Sequence, residues 1–319
     1  MPPTLSPAIV RLLRCPACRS PLRQGADHLQ CPAHHCGIRF PVVGGVPVLL
    51  NEQRSLFRIQ NVLGGDHPMM STKGGGPRAT VQRMMPNISA NLSAPRNFAH
   101  IGRLLERQSS EPKVLIVGGG TLGEGIEALL GHPGIELVET DVALGPRVGL
   151  VCDAHDLPFA DESLDCVIAQ AVLEHVVDPH RCVEEMYRVL KPGAIVYAET
   201  PFMQQVHLGR FDFSRFTHLG HRRLFRRFEE IESGATGGPG MVLAWSYLYF
   251  LLSFSSSRFI RKLVRVFASL TAFHLKYFDH FLIKQAGAYD AASGYHFLGT
   301  KSIKVLDDQE LIQLYRGAL

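Results

Sequence analysis

Lys113-Val-Leu-Ile-Val117-Gly118-Gly119-Gly120-Thr121-Leu122-Gly123-Glu124-Gly125 is the stretch that decides the fold class. Five residues of almost unbroken apolarity suit a parallel strand covered on both faces. The glycines that follow let the backbone turn sharply and approach a ligand, and they predict a helix start with outward-facing N–H groups. A G-x-G-x-x-G spacing alone is weak, because several nucleotide-type sites share it with chance. The flanking sequence adds weight. A second strand is expected over 135–140, ending at Asp141, where a carboxylate can accept both hydroxyls of a ribose. A third strand from Val148 closes on Asp153-Ala154-His155-Asp156, and a fourth covers 165–170. A helix over about 180–190 should stop at Lys191-Pro192-Gly193. A fifth strand over 194–199 should then be broken by Thr200-Pro201. Alternating strands and helices of this kind predict an α/β, doubly wound sheet.

The runs DAHDLPFADESLDCVIAQAVLEHVVDP (153–179) and EEMYRVLKPGAIVYAETP (184–201) resemble the type-11 group of class I S-adenosylmethionine-dependent methyltransferases. The resemblance extends over 113–202 and implies a Rossmann-like, seven-stranded sheet that binds S-adenosyl-L-methionine. On that resemblance, Gly118, Gly119 and Gly120 pass under the methionine part of the cofactor and Asp141 holds the ribose. Asp153 and the Ala154 backbone meet the adenine edge, and Gln170 borders the sulfonium. Ile116 departs from the pattern, since the family usually carries an acidic residue two positions before the first glycine. Glu124 is a candidate replacement. The alternative is a non-catalytic scaffold built on the same fold. Little else is needed for chemistry, because the sulfonium is already activated and alignment in a dry pocket supplies most of the acceleration.

The acceptor should lie beside residues 202–228, since the loop after strand five sits at the carboxyl edge of such a sheet. His207 and Asp212 are the candidate catalytic residues there, as base or acceptor contact, because imidazole titrates near neutrality. A hydrogen-bonded loop with stacked aromatics is the plainer use of the same residues. Glu174 and His175 read as caps of the helix after strand four, and Cys152, Cys166 and Cys182 as small core residues. Strand six is expected from Phe228 and strand seven over 295–301. Between them lies an insertion, 240–292, whose apolar residues from Phe259 to Phe281 recur at helical spacing. Arg258, Arg261, Lys262, Arg265 and Lys276 fall largely off that stripe. Such a helix suits an anionic bilayer surface, and it suits equally a cover for the sheet or a homodimer contact.

Upstream, Cys15-Pro-Ala-Cys18 and Cys31-Pro-Ala-His-His-Cys36 carry four soft ligands at the spacing of a structural zinc site. The second pair is widened, so His34 or His35 competes with Cys36 for the fourth place. Residues 8–50 also resemble the small zinc-ribbon activating subunits of tRNA and release-factor methyltransferases, through Leu12-Leu13-Arg14 and the run from Cys36 to Leu50. Too few apolar residues are present there for independent folding, so metal or docking must supply stability.

The organisation expected is a zinc ribbon (8–50), a linker with a lead-in helix over 99–108 (51–111), a methyltransferase domain (112–239 and 293–319) and a helical insertion (240–292). A net charge of +4 from 33 Lys+Arg and 29 Asp+Glu excludes a dedicated nucleic-acid binder. No apolar run reaches the roughly 18 residues of a membrane span. Seven cysteines without a disulfide-type spacing, and an N-terminus lacking an apolar leader, point to a cytoplasmic protein, with the inner membrane face as a peripheral location. The function expected is methyl transfer to a small molecule or saccharide, lipid-linked in one version. RNA is the alternative acceptor, prompted by the ribbon and by Arg222-Arg223 and Arg226-Arg227.

Overall fold

The computed structural model describes residues 4–65, 86–130, 132 and 134–318. The Met-Met pairs and the Gly74-Gly75-Gly76 turn signal of the expected linker lie outside them. Among the described residues, eleven strands form one sheet. They are β1 (Arg23–Gln24), β2 (His28–Gln30), β3 (Arg39–Val43), β4 (Val46–Leu49), β5 (Lys113–Val117), β6 (Glu136–Asp141), β7 (Leu150–Cys152), β8 (Leu164–Gln170), β9 (Leu190–Pro201), β10 (Phe228–Gly237) and β11 (Gly294–Lys301). Their order is β1-β2-β3-β4-β7-β6-β5-β8-β9-β11-β10. The expected seven strands are β5 to β11. β5 to β9 run parallel, and β11 and β10 close the edge antiparallel.

Alternation along β5 explains its apolar run. Leu115 and Val117 face a core shared with Cys182, Val183, Met186 and Val189 of the helix Pro179–Val189. Val114 and Ile116 face the other side, against Phe98, Ile101 and Leu105 of the helix Ala94–Gln108. Both faces are thus covered, as parallel sheets require. That lead-in helix begins at Ala94, earlier than the expected Ala99. Ala94, Phe98, Ile101 and Leu105 form its buried stripe at i, i+4, i+7 and i+11.

Two local expectations are corrected. The glycine turn does not run straight into a long helix. Residues 118–126 form a loop, and the helix that follows is only Glu127–Leu130. Lys191-Pro192-Gly193 does not separate a helix from a strand. β9 starts at Leu190, and the turn is a bulge inside it, where pairing jumps from Leu164↔Leu190 to Cys166↔Ile195 with Gly193 at φ 73°.

The ribbon is not a separate lobe. Its β4 pairs in parallel with β7 through Val48↔Val151 and Leu49↔Cys152. Ile9, Leu13, Leu29 and Phe40 enter the same core as Val167 and Met186. Backbone bonds Arg14 N to Pro158 O and Ala160 N to Leu12 O, both 2.9 Å, tie it to the segment after Asp153.

The insertion forms three helices, Pro239–Leu252, Arg258–Ala272 and Leu275–Leu282, so the stripe expected over 258–282 is broken near Phe273. It does not cover the sheet. Phe259, Leu263, Phe267, Leu270, Tyr277 and Phe281 are 54–70% exposed. The small residues Ala268 and Ala272 make the internal contact instead, against Ala244, Leu248 and Leu252. Asp279, buried, accepts the Gly240 and Met241 amides at 2.8 Å and so fixes the start of the first helix.

Candidate functional site

A cavity of about 510 Å³ opens at the carboxyl ends of β5 to β8, within the size range of small-molecule sites. It brings together Gly118, Asp141, Asp153, Ala154 and Gln170 among the expected cofactor residues. Gly118 sits at φ 73°, and a Cβ there would lie 2.5 Å from Val172 Cγ2, so both conformation and space demand glycine. Gly119 donates its amide to Thr140 O at 2.7 Å, and Gly120 donates to Asp141 Oδ2 at 3.1 Å. Asp141 therefore stands at the end of β6 facing the loop, where strand geometry alone delivers it.

Asp153 begins the turn Ala154–Asp156 and accepts from His155 N at 3.0 Å, His155 Nδ1 at 2.6 Å and Ser55 Oγ at 2.5 Å. Burial would raise its carboxyl, but these donors and the His155 charge bring it below the ordinary carboxylate value. Ser55, with the cavity-lining Leu56 and Phe57, follows directly on the ribbon, and Phe57 stacks on Phe211 from the far side at 6.2 Å.

Ile116 is 3% exposed and packs beneath the lead-in helix rather than lining the cavity. Two other carboxylates do line it, Glu124 and Glu199. Glu199, on β9 opposite Gln170, was not singled out by its sequence context. It accepts from Asn91 Nδ2 at 2.7 Å, from Gln170 Nε2 at 3.0 Å and from the Tyr197 hydroxyl. Burial pushes its carboxyl upward, partly offset by those donors. Cys152, Cys166 and Cys182 are buried, and burial holds the Cys152 thiol at about 12, as inert core groups should be.

On the acceptor side, Asp212 accepts the His207 amide at 2.9 Å and is paired with Arg215. Burial would raise the Asp212 carboxyl, but the Arg215 hydrogen bond and charge, with the His207 amide, bring it to about 2. His207 Nδ1 lies 3.4 Å from Asp212 Oδ2, and its Nε2 lies 3.1 Å from His175 Nε2. Glu174 and His175 do not cap the following helix; Asp178 does, accepting from Arg181 N at 3.0 Å. Instead they turn towards His207, and His175 also lines the cavity.

The sulfurs of Cys15, Cys18, Cys31 and Cys36 lie within 4.8 Å of one another, with Cys15–Cys36 at 3.7 Å and Cys18–Cys31 at 3.4 Å. Sulfurs around a tetrahedral zinc stand about 3.8 Å apart, given bonds of about 2.3 Å. The cluster fits such an ion, and it includes Cys36, whereas His34 and His35 are exposed outside it.

Three of the four arginines that prompted the RNA alternative are engaged with the protein itself, while Arg223 is exposed, 3.9 Å from Asp308. Arg222 is buried against Glu230, Arg226 donates to Leu306 O, and Arg227 pairs with Glu184 over the Tyr187 ring.

Residues 132–198 match the family described as a methyltransferase domain. The strand order around that match is the Rossmann-like sheet expected of a class I methyltransferase. The ubiquinone/menaquinone biosynthesis C-methyltransferase UbiE of Geotalea daltonii is 38% identical over 87 residues, covering 25% of this chain and 37% of its own length. Demethylmenaquinone methyltransferase of Paenarthrobacter aurescens is 39% identical over 77 residues, covering 21% and 30%. The chain thus spans about a third of the length of these curated relatives. Among solved structures, a putative sarcosine dimethylglycine methyltransferase from Galdieria sulphuraria covers 67% of this chain and 86% of its own, at 17% identity and a TM-score of 0.44.

Proposed function

We propose that the protein is an S-adenosylmethionine-dependent methyltransferase acting on a small, lipid-carried acceptor. The observation that carries this is the convergence of the glycine turn, Asp141, Asp153 and Gln170 on one cavity at the carboxyl ends of β5 to β8. In this reading Asp141 holds the ribose and Asp153 with the Ala154 backbone meets the adenine. Gln170 borders the sulfonium, and Gly118 to Gly120 give room to the methionine part. Glu124 and Glu199 supply the negative charge towards the cofactor's ammonium that Ile116 lacks. The reaction is an in-line displacement, in which the residues align acceptor and methyl and exclude water.

His207, held by Asp212, contacts the acceptor. Its loop touches the insertion, through Gln205 Nε2 to Ser246 Oγ at 3.3 Å and Tyr249 Oη to Val206 O at 2.7 Å. The exposed apolar face of that insertion, with Arg258, Lys262 and Arg265 exposed along the same helix, suits an anionic membrane surface. None of the helices among the described residues is long and apolar enough to cross a membrane. The names of the quinone-modifying relatives favour a small lipid-borne acceptor over a free saccharide. The four cysteines hold a structural zinc, and the boundaries 8–50, 51–111, 112–239 with 293–319, and 240–292 describe the working units.

Mass spectrometry of the purified, denatured protein, incubated beforehand with S-adenosylmethionine, should release the cofactor or its demethylated product. A Gly118→Val variant should release neither. Absence of both from the wild-type protein would overturn the reading.

A further inference from the structure

We propose that Glu174, His175 and His207 form a second metal site, for a divalent transition-metal ion at the acceptor end of the cavity. The inference rests on the methyltransferase reading of that cavity and adds to it the chemistry of the acceptor.

The three ligand atoms converge. His175 Nε2 and His207 Nε2 are 3.1 Å apart, and Glu174 Oε1 is 3.7 Å and 3.9 Å from them. Nitrogen and oxygen ligands around a tetrahedral zinc stand about 3.3 Å apart, given bonds of roughly 2.0–2.1 Å. The spacing therefore matches a shell with an ion at its centre.

Both imidazoles are held from the outer nitrogen. His175 Nδ1 donates to the Phe211 carbonyl at 2.8 Å, which leaves Nε2 without a proton in the neutral ring. His207 Nδ1 lies 3.4 Å from both the Gln205 carbonyl and an Asp212 carboxylate oxygen fixed by Arg215, so acceptors surround its outer nitrogen as well. The two facing nitrogens, 3.1 Å apart, can share a proton or a metal ion between them. Carbonyl and carboxylate partners on the outer nitrogen are the usual supports of metal-bound histidine.

Glu174 is the independent observation. Its side chain is 1% exposed, and apart from its own amide neither carboxylate oxygen meets a hydrogen-bond donor among the described residues. A buried carboxylate so placed is costly unless it is paired or coordinates a cation. Arg215, the nearby cation, is spent on Asp212.

Two imidazoles and one carboxylate suit zinc or a neighbouring divalent ion and leave a coordination position open. His175 lines the cofactor cavity, so that position can receive an acceptor hydroxyl near the methyl group. Bound there, the hydroxyl loses its proton to solvent water at a lowered pKa. The oxyanion then forms a bond to the methyl carbon, the carbon–sulfur bond breaks, and its electron pair stays on sulfur. His207 and His175 act as ligands, and Asp212 is a positioning residue.

The test is cobalt(II) titration of metal-free full-length protein, followed by absorption and by mass spectrometry of bound metal. Thiolate-to-cobalt bands report the cysteine cluster, and weaker visible bands report nitrogen and oxygen ligands. The wild-type protein should take a further equivalent of cobalt beyond that giving the thiolate bands. His175→Ala and Glu174→Gln should lose that further equivalent and keep the thiolate bands. Asp212→Asn should weaken it by about 10- to 100-fold. Should His175→Ala fail to fold by circular dichroism, His207→Ala on the loop replaces it. Uptake confined to the cysteines, or a further equivalent that survives both histidine variants, would overturn the proposal. Binding of S-adenosylhomocysteine to the wild-type protein, measured alongside, separates this failure from failure of the methyltransferase reading.

Discussion

The role proposed for Asp141 rests on its place in the fold. It ends β6, faces the glycine turn and accepts from Gly120, so its carboxylate is presented to the cavity. Asp141→Ala should weaken S-adenosylhomocysteine by about 1.5–3 kcal/mol, roughly 10- to 150-fold, since hydrogen bonds to a charged group are worth that much. Equilibrium dialysis measures it; unchanged affinity would remove the ribose contact. Ile116 supplies the converse case. Introducing a carboxylate as Ile116→Glu should lower the unfolding midpoint, because the position is sealed beneath the lead-in helix. A variant as stable as wild type with tighter cofactor binding would contradict this. Asp141 and Gly118 were legible because each lies at the end of an obvious strand. Glu199 and Glu174 were not, because only strand register and a loop fold bring them to the site, and neither is visible in local spacing.

Elements carry properties that no single residue does. The helix Arg258–Ala272 buries alanines and exposes its large apolar residues, the reverse of a helix that packs on a sheet. Helical spacing was legible in the sequence, but its direction was not, since the same period describes a covered and an uncovered face. Phe259→Ser with Phe267→Ser should change stability by no more than about 1 kcal/mol. The pair should abolish flotation with vesicles containing anionic lipid; undiminished flotation, or severe destabilisation, would show the face to be used otherwise.

The contact between β11 and the helix His218–Leu224 gives a second element-scale expectation. Burial drives the imidazoles of His221 and His296 down to about 3, and that of His218 down to about 4, with mutual repulsion and nearby arginines adding to it. In the unfolded chain these rings titrate near 6.5. Between those values the unfolded state binds protons that the folded state refuses, so stability is intact above about pH 6.5 and falls as the pH drops below it. Urea denaturation midpoints measured from pH 7.5 to 4.5 should decline through that window, and His296→Gln should flatten the decline. A wild-type midpoint constant to pH 4.5 would contradict the assignment.

At the scale of the whole molecule, the ribbon and the methyltransferase domain are one sheet and one core. Ribbon residues continue β7 through β4 and hold the Pro158–Ala160 segment, and Ser55, just beyond them, donates to Asp153. Cysteine spacing and the glycine turn led to an expectation of two units. Their fusion into one sheet was not legible, because a parallel pairing between β4 and β7 leaves no trace in either strand alone. Loss of the proposed zinc should therefore reach the Asp153 turn: Cys18→Ser should raise hydrogen exchange in 153–160 as well as in 12–50. Exchange confined to the ribbon would show that the docking carries no load.

The methyltransferase reading depends on the cavity taking S-adenosylmethionine, and isothermal titration of the purified protein with S-adenosylhomocysteine measures that directly. The structure predicts saturable binding at a single site per chain, sharply weakened in Asp141→Ala. Absence of binding to both S-adenosylhomocysteine and S-adenosylmethionine, in protein shown to be folded, would contradict it.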